Sequence, residues 1–215
     1  MPFAARTSDT TGHGTPLTPG PGSTDVLIGS MPAWRALPSS VGSAVDGISN
    51  SMQAFMARPV LTPADASADV AQIGAKLAAG GAAAAAEGAP AAAGAASAAV
   101  ATLTATQTAL TSTWSAASPV PGGQPAANQA FTEGIKAAAA AAATATLSAM
   151  TGVADMHTCP VPTPIPPHGP GYVTKGSSTV EINKLPAARQ GDQVMEACGG
   201  ADPISLGCST VDVGG

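Results

Sequence analysis

Metal donors are scarce in this 215-residue chain, which holds three histidines and three cysteines. His13 stands nine residues before Gly22, His168 eight before Gly176, and Cys198 nine before Gly207. The three glycines open copies of one short motif, so structural copies stacked about a common axis would bring the three donors to one level. His157 can supply a fourth. Three imidazoles and a thiolate satisfy a tetrahedral Zn²⁺, with bonds near ~2.0–2.1 Å to nitrogen and ~2.3 Å to sulfur. With all four positions taken by protein the site is closed, and its role is structural.

Cys159, two residues past His157, is the rival fourth ligand, and that spacing reads as strained for simultaneous binding. Cys208 fills the slot held by Ser23 and Ser177 and is expected to be a small buried residue. Arg6 with Asp9 and Arg189 with Asp192 read as short-range ion pairs that fix turns. No His-Glu-x-x-His, nucleophile elbow or phosphate loop occurs, so no enzyme activity is expected.

The motif that phases these donors is an internal repeat. Gly22-Ser23-Thr24-Asp25-Val26-Leu27-Ile28 recurs as Gly176-Ser177-Ser178-Thr179-Val180-Glu181-Ile182 and as Gly207-Cys208-Ser209-Thr210-Val211-Asp212-Val213. Each copy reads as a turn glycine followed by a short alternating strand. Pro32-Ala33-Trp34-Arg35 follows the first copy as Pro186-Ala187-Ala188-Arg189 follows the second. Ala-Ala-Arg-x-x-Asp occurs at Ala4 to Asp9 and again at Ala187 to Asp192. The remaining copy is split, with Arg35 before an insert and Asp155 after it. Three residues span at most ~3.3–3.6 Å each, so the ends of the insert must meet within about 10 Å.

Composition draws the same boundaries. Residues 1–37 and 154–215 are rich in Gly, Pro and short β-like runs, whereas 38–153 is Ala-rich with only eight charges. The middle block predicts helices. Thr62-Pro63-Ala64-Asp65 reads as an N-cap, a first-position Pro and an acid. Apolar residues recur at helical spacing through Val45, Ile48, Met52 and Phe55, through Val70, Ile73 and Leu77, and through Val100, Leu103, Leu110 and Trp114. Gly80-Gly81, Gly88-Ala89-Pro90 and Pro119 to Gly123 are the expected breaks. A helical hairpin or small bundle leaving and re-entering the β structure side by side follows.

A net charge of −5, a pI near 4.9 and eight Lys plus Arg argue against a nucleic-acid surface. The charge-free stretches of the insert are long enough to span a bilayer but are dominated by Ala, Thr and Ser, so stable membrane insertion is not expected. The first thirty residues lack a basic region followed by an apolar run. The expectation is therefore a chain made in the cytoplasm, without a secretory signal peptide.

Pro186-Ala187-Ala188-Arg189 is the signature of the PAAR-repeat proteins, and the surrounding repeats resemble that family over 1–37 and 154–215. Ala4-Ala5-Arg6, Asp9 and His13 also look like the segment called prePAAR. The resemblance implies a mainly β, conical three-repeat tip, here α+β overall because of the Ala-rich helical insertion. It implies a structural zinc held by His13, His157, His168 and Cys198. It also implies a seat on the homotrimeric VgrG-type spike of a type VI secretion or related contractile injection system, aiding envelope puncture and effector delivery. An insert that binds an effector or chaperone, a secreted effector with a membrane-active insert, and a zinc-dependent hydrolase are the alternatives.

Overall fold

A computed structural model describes residues 1–162 and 167–215. The first elements are β1 (Phe3–Ala4), β2 (Pro19–Gly20), β3 (Leu27–Ile28) and β4 (Met31–Pro32). Four helices follow: α1 (Ser39–Met56), α2 (Pro63–Ala86), α3 (Pro90–Ala117) and α4 (Gly123–Ser148). The chain then returns to strands β5 (Met156–Pro162), β6 (Pro167–Val173), β7 (Glu181–Ile182), β8 (Leu185–Pro186), β9 (Gln193–Glu196), β10 (Gly200–Pro203) and β11 (Cys208–Asp212). The molecule is an α+β protein.

The β part is built around a threefold ring. Ala5 N–H donates to Ala188 C=O at 2.9 Å, Ala188 N–H to Trp34 C=O at 3.0 Å, and Trp34 N–H back to Ala5 C=O at 2.9 Å. One residue from each repeat thus satisfies the next, and no backbone group of this ring is orphaned. The three side chains share one apolar cluster with Leu17, Val173, Val194 and Ile204. One large residue, the fully buried Trp34, faces two alanines there, as expected where three copies converge on limited space.

Three small two-stranded antiparallel sheets accompany the repeats: β3 with β4, β7 with β8, and β11 with β1. The last of these joins the two ends of the chain, with Phe3 opposite Asp212. The remaining strands form a five-stranded antiparallel sheet in the order β10-β9-β6-β5-β2.

Helix α2 starts on a complete capping box, Thr62 with Asp65, and has Pro63 in its first turn. The apolar stripes bury as their spacing requires: Val45, Ile48, Met52 and Phe55 from α1, and Val70, Ile73 and Leu77 from α2, share one core with Phe131, Ile135 and Leu147 of α4. Gly80-Gly81 does not break α2, contrary to the sequence expectation. Both glycines are buried within the helix. A Cβ at Gly80 would lie 2.7 Å from Ile48 Cδ1, and one at Gly81 would lie 2.7 Å from the Ala92 carbonyl oxygen. They are sites of close helix approach, and the chain turns instead at Gly88, where φ is +103°.

The bundle rests on the sheet through named contacts. Tyr172 of β6 is fully buried and its hydroxyl donates to Leu147 C=O at 3.0 Å. Leu37 N–H donates to Val173 C=O at 2.8 Å, and the Ser49 hydroxyl donates to Glu196 C=O at 2.7 Å. Among the described residues no helix is long and apolar enough to cross a membrane.

Candidate metal centre

Strand alternation sets the floor of the site. His157 and Cys159 lie two apart on β5 and are both fully buried, so a period of two turns them to the same side. The spacing read as strained from sequence is the natural one for two ligands on one strand. β6 brings His168 opposite, since Cys159 pairs with Gly169 across the β5–β6 ladder. The loop before β2 carries His13, and the β9–β10 hairpin carries Glu196 and Asp202. Gly199 lies in that hairpin, where a Cβ would overlap the Glu196 carboxylate and the His168 ring.

Among the described residues two groups of four donors result, each with its ligand atoms within 4.8 Å of one another. The first is His13, Cys159, His168 and Glu196; the second is His157, Cys159, Glu196 and Asp202. Donors on a tetrahedral ion with the bond lengths above sit about 3.4–3.6 Å apart. In the first group Cys159 Sγ lies 3.6 Å from His13 Nδ1 and 3.7 Å from His168 Nδ1, and Glu196 Oε1 lies 3.4 Å from His13 Nδ1. Three edges therefore already have the length a bound ion requires. The fourth contact, His168 Nδ1 to Glu196 Oε2, is shorter at 2.7 Å.

The polar accounting points the same way. Among the described residues, Glu196 Oε1 and Oε2, Asp202 Oδ2 and His157 Nδ1 are all buried with no hydrogen-bond partner. The 2.7 Å approach of His168 to Glu196 is thus close without being aligned as a hydrogen bond. Orphaned buried groups of this kind call for an ion or a proton rearrangement. Burial pushes the Cys159 thiol up to about 11 and raises the Glu196 carboxyl above its usual range. It also lowers His157 below the ordinary imidazole value. The protein alone thus favours the neutral forms, and a divalent cation reverses this for a coordinating thiol.

Of the four residues expected to bind metal, His13, His157 and His168 reach the cluster and Cys198 does not. The Cys198 side chain is buried in the apolar core with Tyr172, Met195 and Ala197, while its backbone N–H donates to His168 C=O at 3.1 Å. The repeat places Cys198 at the right point along the chain. The turn after Glu196 directs its side chain toward the bundle, and Cys159 is the thiol found among the gathered donors. Cys208 is 6% exposed beside Thr210, as its serine-like slot implied.

Sequence reasoning missed Glu196 and Asp202. The available signal was a lone acid inside the run Val194-Met195-Glu196-Ala197-Cys198. An acid that must be buried with its neighbours needs a partner.

A family model described as PAAR motif matches residues 125–201 and 163–215. No curated protein and no solved structure matches the chain.

Proposed function

Since the chain is a PAAR-repeat protein, a family of spike-tip proteins in type VI-like secretion systems, we propose that it caps a VgrG-type homotrimeric spike as a metal-stabilised, non-enzymatic point. The observation that carries this reading is the closed hydrogen-bond ring of Ala5, Ala188 and Trp34. One chain with three equivalent faces matches the threefold end of a homotrimer, so one copy closes three symmetric sites. The two-stranded sheets β3–β4, β7–β8 and β1–β11 have edges that suit strand addition.

Zinc is the metal we assign, on donors His13, Cys159, His168 and Glu196. A borderline-soft ion fits sulfur, imidazole and carboxylate together. When bound it supplies folding free energy to a small β structure with few large core residues. Export follows that of the spike.

The test is a pull-down of the purified chain against candidate spike trimers, with the mass of the complex measured. One chain per trimer is expected. No binding, or one chain per spike subunit, would overturn the reading.

A second role falls to the helices as a dock for an effector or chaperone. An apolar groove lined by Leu110, Trp114, Val120 and Phe131, at the α3–α4 turn, favours it. Charged substitutions at Val120 should then abolish effector or chaperone co-purification and leave spike capture intact.

A further inference from the structure

We propose that this centre holds a second divalent cation, bound by His157 and Asp202 and sharing Cys159 and Glu196 with the first. The inference rests on the metal reading above and adds a position to it. The two donor groups overlap only in Cys159 and Glu196, leaving His13 and His168 on one side and His157 and Asp202 on the other. A single ion in the first group uses neither His157 Nδ1 nor Asp202 Oδ2. Both atoms then stay buried without a hydrogen bond from any described residue, which natural interiors seldom tolerate.

The outer contacts show which atoms are left to bind. Thr15 Oγ1 lies 3.2 Å from His157 Nε2, whereas His157 Nδ1 is buried without a hydrogen-bond partner among the described residues. Asp202 Oδ1 accepts the His13 backbone N–H at 3.0 Å. Asp202 Oδ2 lies 3.0 Å from His13 Nδ1, but once that nitrogen binds the first ion it has no proton to donate. Oδ2 is then free for a second ion. Such outer partners orient ligands in established metal sites.

Charge supports the same count. One thiolate and two carboxylates bring three negative charges, of which one divalent ion offsets two. Among the described residues no Arg or Lys forms an ion pair with Glu196 or Asp202; Arg6, Arg35, Arg58 and Arg189 pair with Asp9, Asp155, Asp69 and Asp192. The sulfur, nitrogen and oxygen donors select zinc or a similar borderline ion over magnesium or calcium.

The experiment is native mass spectrometry of the full chain, stripped with chelator and titrated with Zn²⁺. Two ions per chain are expected, falling to one in Asp202→Asn and in His157→Gln, with the circular-dichroism spectrum unchanged. Asp202→Asn keeps an oxygen for the His13 N–H, so it preserves the loop. One ion in the unaltered chain overturns the second position and leaves the first standing; none overturns both. Two ions retained in both variants would also sink the assignment, and the unaltered chain decides the matter if either variant fails to fold.

Discussion

Arg35 and Asp155, 120 residues apart, meet in a bidentate ion pair, with Nε to Oδ2 at 2.9 Å and Nη2 to Oδ1 at 2.7 Å. The same pattern, including the arginine backbone N–H donating to the same oxygen, joins Arg6 to Asp9 and Arg189 to Asp192. Four helices separate Arg35 from Asp155 in the chain, yet their pair has the geometry of the two pairs that lie within a single turn. The fully buried Asp155 carboxylate also accepts the Gly22 N–H at 2.9 Å.

Asp155→Ala should therefore be costly, because it leaves Arg35 largely buried and unpaired. A loss of about 3–5 kcal/mol is expected, read from denaturant unfolding of the metal-loaded protein. The exposed capping acid gives the contrast, since Asp65→Ala should cost much less. Equal losses for the two would refute the repeat-closing role of Asp155.

The two buried thiols separate by metal content. Cys159→Ser should release most bound zinc and lower the melting temperature together. Cys198→Ser should keep the metal, because its side chain packs among Tyr172, Met195 and Ala197. Retention of full zinc by Cys159→Ser would return the thiol ligand to Cys198.

A pH series tests the same assignment independently. In chelator-treated protein, burial raises Cys159 and Cys198 from 9.0 to about 11. A raised folded value means the native state holds its proton longer. The stabilisation is then complete below about pH 9 and is lost as pH climbs toward about 11. In zinc-loaded protein Cys159 is already a thiolate, so its share of the loss disappears. Thermal melts across that window should fall more steeply without zinc than with it, and matching slopes would contradict a Cys159 ligand.

Two glycine substitutions should act in opposite directions. A Cβ on Gly42 of α1 would collide with the Thr174 carbonyl oxygen, where the bundle rests on the β part. Gly42→Ala should cost about 1–3 kcal/mol through overpacking. Gly94 lies within α3, and a Cβ added there would meet nothing within 4 Å. Gly94→Ala should therefore stabilise by roughly 0.5–1 kcal/mol. Chemical denaturation of both proteins checks the pair, and a neutral Gly42→Ala would mean that the bundle is not seated on that segment.

What the sequence determined by itself is whatever depends on position along the chain. Fixed offsets identified the repeats and the Arg–Asp partners, because three copies with one local structure need the same turn residues at the same places. The α2 cap at Thr62 and the helical stripes were legible for the same reason, since capping and amphipathic spacing are local. Tertiary structure alone decided direction and company. Cys198 is in phase with His13 and His168 along the chain, yet the β9–β10 turn points it into the apolar core. Glu196 and Asp202 enter the centre only because that hairpin lies beside β6. Gly80-Gly81 continues a helix because neighbouring helices approach too closely for a side chain. A metal centre gathers donors from separate elements, so its membership is fixed by how those elements pack rather than by any spacing within one of them.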